Sequence, residues 1–133
     1  MKRLALGALA AGAWINLSEF LRNELLFKQQ WLDKYQSLGL SFPSAPGNNA
    51  LWAAWGFILA ACIVTLIRRQ TFLATFLAVW TLTFPLMWIV TANLNVLPLG
   101  LLPVAVPWSM AEAAVAVVIA RRIAGGRKAE PEN

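Results

Sequence analysis

Ionisable and polar side chains set inside apolar stretches are the residues of this sequence whose types and spacing point to chemistry. Asn16, Glu19, Arg22, Asn23 and Glu24 fall within one long apolar segment, and Glu112 stands alone in another. Charges are costly to bury in hydrocarbon, so residues kept there mark ion paths, proton relays or substrate sites. At about 100° per helical residue, Asn16, Glu19 and Asn23 lie within about 60° of one another. Gly12, Ala8 and Ala5 continue that face, and Leu17, Leu21 and Leu25 occupy the opposite one. Small and polar residues pack against other helices in a bilayer. Gly12, Asn16 and Glu19 are therefore expected to face a bundle interior, and the leucines lipid.

Glu112 shares a face with Ser109, Ala105 and Ala116, and the series Ala105, Ser109, Ala113 and Glu112, Ala116, Ala120 step by four. That spacing allows close helix approach and turns Glu112 inward. A rise of about 1.5 Å per residue puts Glu19 about 22 Å and Arg22 about 27 Å above Leu4, with Glu112 about 12 Å above Ala120. Thr83 comes out about 16 Å and Asn16 about 18 Å above the same edge. Glu19 then pairs with Arg22, three residues on. Glu112 meets no basic residue at its depth, and its expected partners are Thr83, Asn16 and Ser109. The candidate intramembrane polar site is Asn16, Glu19, Arg22, Asn23, Thr83, Ser109 and Glu112. Its alternatives are a proton or cation site, interhelical hydrogen bonding, or the lining of a water cavity.

Other chemistry is poorly supplied. There is no His, which removes the commonest general base and metal ligand. Cys62 is the single cysteine, which excludes an intrachain disulfide and a Cys/His metal site; its apolar surroundings suggest a small buried hydrophobe. No catalytic residue, metal or cofactor is expected.

The elements that must position these groups are membrane-spanning helices. The chain of 133 residues is 59% hydrophobic and 13% charged, against about 45–50% and about 25% in an average soluble domain. Four apolar stretches, residues 4–27, 51–67, 72–92 and 97–120, each approach the roughly 20 residues that span a hydrocarbon core. None alternates with the period of a barrel strand. Lys2 and Arg3 before an Ala-rich run resemble a signal peptide, but cleavage after Ala11-Gly12-Ala13 would release a fragment shorter than the usual 15–30 residues or so. The fold class is thus an all-α membrane protein: a four-transmembrane-helix bundle with a short external interfacial helix.

The net charge is +5, with the basic residues in short clusters flanking apolar segments rather than in a nucleic-acid stripe. Lys2, Arg3, Arg68, Arg69, Arg121, Arg122, Arg127 and Lys128 fall on one side of an even-numbered bundle; Lys28 and Lys34 fall on the other. The positive-inside rule makes the first side cytoplasmic, with both termini there, as in a bacterial inner membrane. The short turn Arg68-Arg69-Gln70-Thr71 makes its flanking helices antiparallel neighbours. Residues 125–133 are polar and expected to be a disordered cytoplasmic tail.

Residues 28–50 form the long external segment. Trp31, Tyr35 and Leu38 make one apolar helical stripe, Gly39 offers a C-cap, and Asn48 or Asn49 can cap the next helix. Among the seven Trp, Trp31, Trp52 and Trp55 fit an interfacial belt. Trp14, Trp80, Trp88 and Trp108 lie deeper, for packing, lipid contact, or stacking on a ligand. Pro85 interrupts the third stretch and frees the carbonyl of Thr81. Pro107 can start a regular helix, leaving residues 97–106 as a half-helix or extended lead-in. Broken segments line many transporter sites, though ordinary kinks give the same pattern.

Three function classes follow. The first is a small proton- or cation-linked transporter, which at this size implies a homo-oligomer. The second is a non-catalytic accessory or assembly subunit of a membrane complex. The third and weakest is a lipid-acting enzyme, with Glu19, Arg22 and Glu24 as its only constellation. The expected partners are the lipid bilayer, further copies or another membrane protein, and an unidentified small molecule or ion; no nucleic acid is expected. A cavity reaching Glu19 and Glu112 favours transport, and a site sealed by packing favours the accessory role.

Overall fold

The computed structural model describes residues 1–125, which are helical with no strand among them. The expected disordered tail, apart from Gly125, lies outside the described residues. Helix α1 runs Lys2–Phe20 and continues through a π-helical turn, Leu21–Leu26. Helix α2 covers Lys28–Ser37, α3 Pro46–Leu66, α4 Phe72–Thr83 and α5 Pro85–Asn93. A 3₁₀ turn, Leu99–Leu101, leads into α6, Leu102–Ala124. Four stretches are long and apolar enough to cross a membrane: Lys2–Leu26, Pro46–Leu66, Phe72–Asn93 and Leu99–Ala124.

Local chemistry sets the boundaries. Gly39 adopts φ +69°, and the amides of Gly39 and Leu40 close back onto Gln36 and Tyr35, an αL cap to α2. Helix α3 starts earlier than expected, because Pro46 supplies a preset φ at its first position. Asn48 and Asn49 therefore sit inside its first turn, where their amides bond the Ala45 carbonyl, and neither is the cap. The Thr71 side chain caps α4 by accepting from Ala74 N at 3.3 Å. Pro85 separates α4 from α5 at Phe84, as its missing N–H requires. Helix α6 is continuous from Leu102: Pro103 falls at its second position, where no N–H is needed, and Pro107 lies inside the helix without breaking it. No separate half-helix precedes Pro107.

Helix α1 is central. On one side it lies antiparallel to α3: Asn16 Nδ2 reaches the Ala53 carbonyl at 3.3 Å, and a Cβ on Gly56 would come within 2.6 Å of that nitrogen. Gly12 accommodates the Phe57 ring in the same seam. On the other side α1 lies antiparallel to α6, where a Cβ on Gly7 would come within 2.8 Å of Ala124 Cβ. Small residues at both seams allow this approach. The inward stripe of α6 is as expected: Ala105, Ser109, Glu112, Ala113, Ala116 and Ala120 are all buried. Ile15, Ala60, Ile63, Val79, Phe84 and Val117 complete the core.

The described basic clusters gather at one end of the bundle. Gly7 meets Ala124, and Arg121 Nη2 donates to the Gln70 carbonyl at 2.6 Å, which brings Lys2, Arg3, Arg68, Arg69, Arg121 and Arg122 to that end. Arg127 and Lys128 lie outside the described residues. At the opposite end Lys34 on α2 donates to Asn95 Oδ1 at 3.0 Å, and Phe27 packs with Leu97, Leu101 and Ala105. Trp31, Tyr35 and Leu38 are the half-buried stripe of α2. Leu17 and Leu25 point outward, whereas Leu21 is half-buried. Cys62 is exposed on the outer face of α3, not buried, since the face α3 turns inward is Gly56, Ala60, Ile63 and Val64.

Candidate functional site

A polar cluster lies between α1 and α6, towards the end opposite the basic clusters. The Ser18 hydroxyl donates to Glu112 Oε2 at 2.6 Å and accepts from Trp108 Nε1 at 2.9 Å. Trp14 Nε1 donates to the Glu112 carbonyl oxygen at 3.1 Å. Arg22 Nη2 donates to Glu19 Oε1 in an ion pair. Asn23 Nδ2 donates to Glu19 Oε2 at 2.8 Å and to the Glu19 carbonyl at 3.2 Å. Trp31 Nε1 on α2 in turn donates to Asn23 Oδ1 at 3.2 Å. The Glu19 carboxyl lies within side-chain hydrogen-bonding reach of Glu112, and Arg22 is near enough to act on Glu112 through its charge.

The cluster therefore gathers two carboxyls from different helices and one guanidinium, which is ion-paired with Glu19 and acts on Glu112 through its charge. Glu112 is 2% exposed and Arg22 4%. Arg22 stacks its guanidinium over the Phe84 ring, 5.1 Å from the centroid, at the break between α4 and α5. Two polar atoms there, Glu112 Oε1 and Arg22 Nη1, have no hydrogen-bond partner among the described residues. Buried polar atoms are almost always paired, so each unpaired one needs a reason.

This corrects the expectation that Glu112 has no basic group at its level. Helix α6 continues to Ala124 and packs that residue against Gly7. From there to Ser18 and to Glu112 is about 17 Å and about 18 Å along the two helices. Counting from Ala120, as though it were level with Leu4, sets Glu112 too near the basic end. The expected partners of Glu112 are likewise replaced. Asn16 turns to α3, bonding the Gly12 and Ala53 carbonyls. Ser109 accepts from Trp80 Nε1 at 2.9 Å and donates to the Val106 carbonyl at 2.8 Å. Thr83 sits half-buried at the end of α4, and none of these bonds runs to it. Of the seven expected site residues, the structure brings together Glu19, Arg22, Asn23 and Glu112.

Ser18, Trp14, Trp108 and Trp31 are the members that sequence reasoning missed. A signal for Ser18 was present: Gly7, Ala11, Ile15, Ser18 and Arg22 form one buried stripe at helical spacing. The bond from Phe27 N to Arg22 O closes a π-helical turn and shifts the residues beyond Phe20 from straight-helix angles. Arg22, four residues after Ser18, continues the buried stripe and is the more buried member of its pair. Three of the four deeper Trp side chains donate their indole N–H within the bundle, so they pack and hydrogen-bond; Trp88 packs against Phe84. Glu24 turns away to Lys28 at 2.5 Å.

Two open grooves lie elsewhere. An open groove of about 300 Å³ is lined by Asn48, Leu51, Trp52, Trp55 and Met87, and one of about 250 Å³ by Thr65, Arg68 and Arg69. No group of three or more metal-ligating side chains occurs among the described residues. Comparisons with protein-family models, with curated proteins and with solved structures find no match.

Proposed function

We propose that this chain is an integral membrane protein of four spanning helices acting as a small proton- or cation-linked transporter, with Glu19, Arg22 and Glu112 as its coupling site. The observation that carries this reading is a buried guanidinium ion-paired with Glu19 beside a second carboxyl, the buried Glu112, on the facing helix. Neutral side chains are enough to glue helices together. A buried charged triad is expensive and contributes little net stability, and charge retained at such depth marks the movement of ions or protons.

Insertion is supported by the surface. Only 22–33% of each long apolar stretch is buried within the chain, and large apolar side chains such as Leu9, Leu17, Leu51, Ile58 and Leu82 point outward. Exposed apolar area on that scale needs lipid or a partner. The basic end is assigned to the cytoplasm, with both termini there, as in a bacterial inner membrane. Helix α2 then lies at the exterior face, and the coupling site sits in the outer half. A chain this small needs further copies to wall a pathway, so the transporter is assigned as a homo-oligomer.

Currents from proteoliposomes adsorbed on a solid-supported membrane test the reading. A pH or Na⁺ jump is expected to displace charge with the wild-type protein and not with Glu112→Gln at equal thermal stability. Equal currents from the two would remove Glu112 from the mechanism. A second reading, an accessory subunit of a membrane complex, is favoured by one observation: neither groove is lined by residues of the cluster. It requires that no jump displaces charge and that the chain co-purifies with another membrane protein.

A further inference from the structure

We propose, resting on the coupling-site reading above, that the ligand of the Glu19–Glu112 pair is a proton and not a metal cation. Three of the four carboxylate oxygens already hold a hydrogen-bond donor. Glu112 Oε2 accepts from Ser18, Glu19 Oε1 from Arg22 and Glu19 Oε2 from Asn23. The Ser18 oxygen accepts from Trp108, and the backbone carbonyls of Glu19 and Glu112 accept from Asn23 and Trp14. The carboxylate oxygen left without a partner is Glu112 Oε1.

Hard cations such as Ca²⁺ and Mg²⁺ take about six or more oxygen ligands, in part from water. With Glu112 2% exposed and the other carboxylate oxygens each already holding a donor, a metal ion would have to displace Ser18, Arg22 or Asn23 to assemble such a shell. The nearby unpartnered Arg22 Nη1 also presents a like charge to any metal ion. A proton needs only one oxygen. On uptake an O–H bond of hydronium breaks, leaving water, as the O–H bond forms at Glu112 Oε1, and Glu19 lies within reach of it as an acceptor. On release that bond breaks and the proton passes to water. Two carboxylates and one guanidinium sum to a single negative charge, which one proton neutralises.

The charged groups facing Glu112 are Glu19 and Arg22, both from α1 and its π-helical continuation. Glu24, on that same turn, is taken up by Lys28. Helices α3, α4 and α5 carry no Asp, Glu, Lys or Arg, and the one Cys of α3 is exposed. The other charged residues of α6, Arg121 and Arg122, stand in its last turn at the basic end.

The test uses the full-length protein in lipid, with infrared difference spectra recorded on pH steps and on Na⁺, K⁺ and Li⁺ steps at fixed pH. The expected result is a protonated-carboxyl C=O band on the pH step, lost in Glu112→Gln and retained in Glu24→Gln. The alkali cations should leave the band unchanged. Glu19→Gln changes the hydrogen-bond partner and should shift the band, an independent sign if Glu112→Gln fails to fold. A band removed by Na⁺, with Na⁺-jump currents that need Glu112, would overturn the proton assignment while the cation-linked reading stands. Absence of any band or current under both kinds of step would overturn both.

Discussion

The Ser18 hydroxyl on α1 meets Glu112 Oε2 on α6 at 2.6 Å, while Trp108 Nε1 donates to the same hydroxyl at 2.9 Å. This chain of two bonds ties the two helices together and orients one carboxylate oxygen, leaving the other without a partner among the described residues. Ser18→Ala should remove both bonds and cost about 1 kcal/mol, the usual scale for an interhelical bond in a membrane protein. It also frees the Trp108 indole, so a changed Trp emission should accompany the lower melting temperature. Unchanged stability and emission would mean that the two helices are not held there.

Arg22 and Glu19 should be energetically coupled. Breaking a buried pair on one side leaves an uncompensated charge and costs about 3–5 kcal/mol. Arg22→Gln is the harsher single change, because it leaves Glu19 facing Glu112 without a cation. The double variant Glu19→Gln/Arg22→Gln should recover much of that loss. Denaturation of the four proteins in one detergent gives the cycle, and additive losses would show that the pair is not buried as described.

The α1–α3 seam predicts a steric effect. A methyl on Gly56 meets Asn16 Nδ2, which is held by the Gly12 and Ala53 carbonyls. Gly56→Ala should therefore cost about 1–3 kcal/mol by overpacking, and Asn16→Ala in the same chain should relieve part of it. Gly47, where an added Cβ would meet nothing within 4 Å, should accept Ala without such loss. Thermal melts of the three variants against the wild type measure this, and equal melting temperatures for Gly56→Ala and Gly47→Ala would contradict the close seam.

Topology is tested by reporter fusions. Fusions after Arg69 and after Asn133 should report the cytoplasm, and one after Ser44 the exterior. The prediction rests on the basic clusters gathered at one end of the bundle. The opposite pattern would invert the assignment of the site to the outer half.

The helices are legible in the sequence because their signals are local. Four long apolar runs, the Gly39 cap and the Pro85 break are each written within a few residues of where they act. The small-residue face of α6 is legible for the same reason, since spacing by four is a property of one helix. The partners of Glu112 are not legible. They depend on the end of α6 at Ala124 and its contact with Gly7, which set the register between helices distant in sequence. The π-helical turn at Leu21–Leu26 is also hidden, because no residue type specifies it. Asn16 reads as an inward residue and is one, but a helical wheel does not say which neighbour it meets.

The most direct test of the central claim is the charge displaced by a pH jump across proteoliposomes holding wild-type protein or Glu112→Gln. Glutamine keeps the shape and an oxygen acceptor for Ser18 but has no carboxyl to protonate. The wild type should give a current and Glu112→Gln none, with equal melting temperatures for the two. A wild-type current no larger than that of protein-free liposomes, or an undiminished current in Glu112→Gln, would contradict the claim.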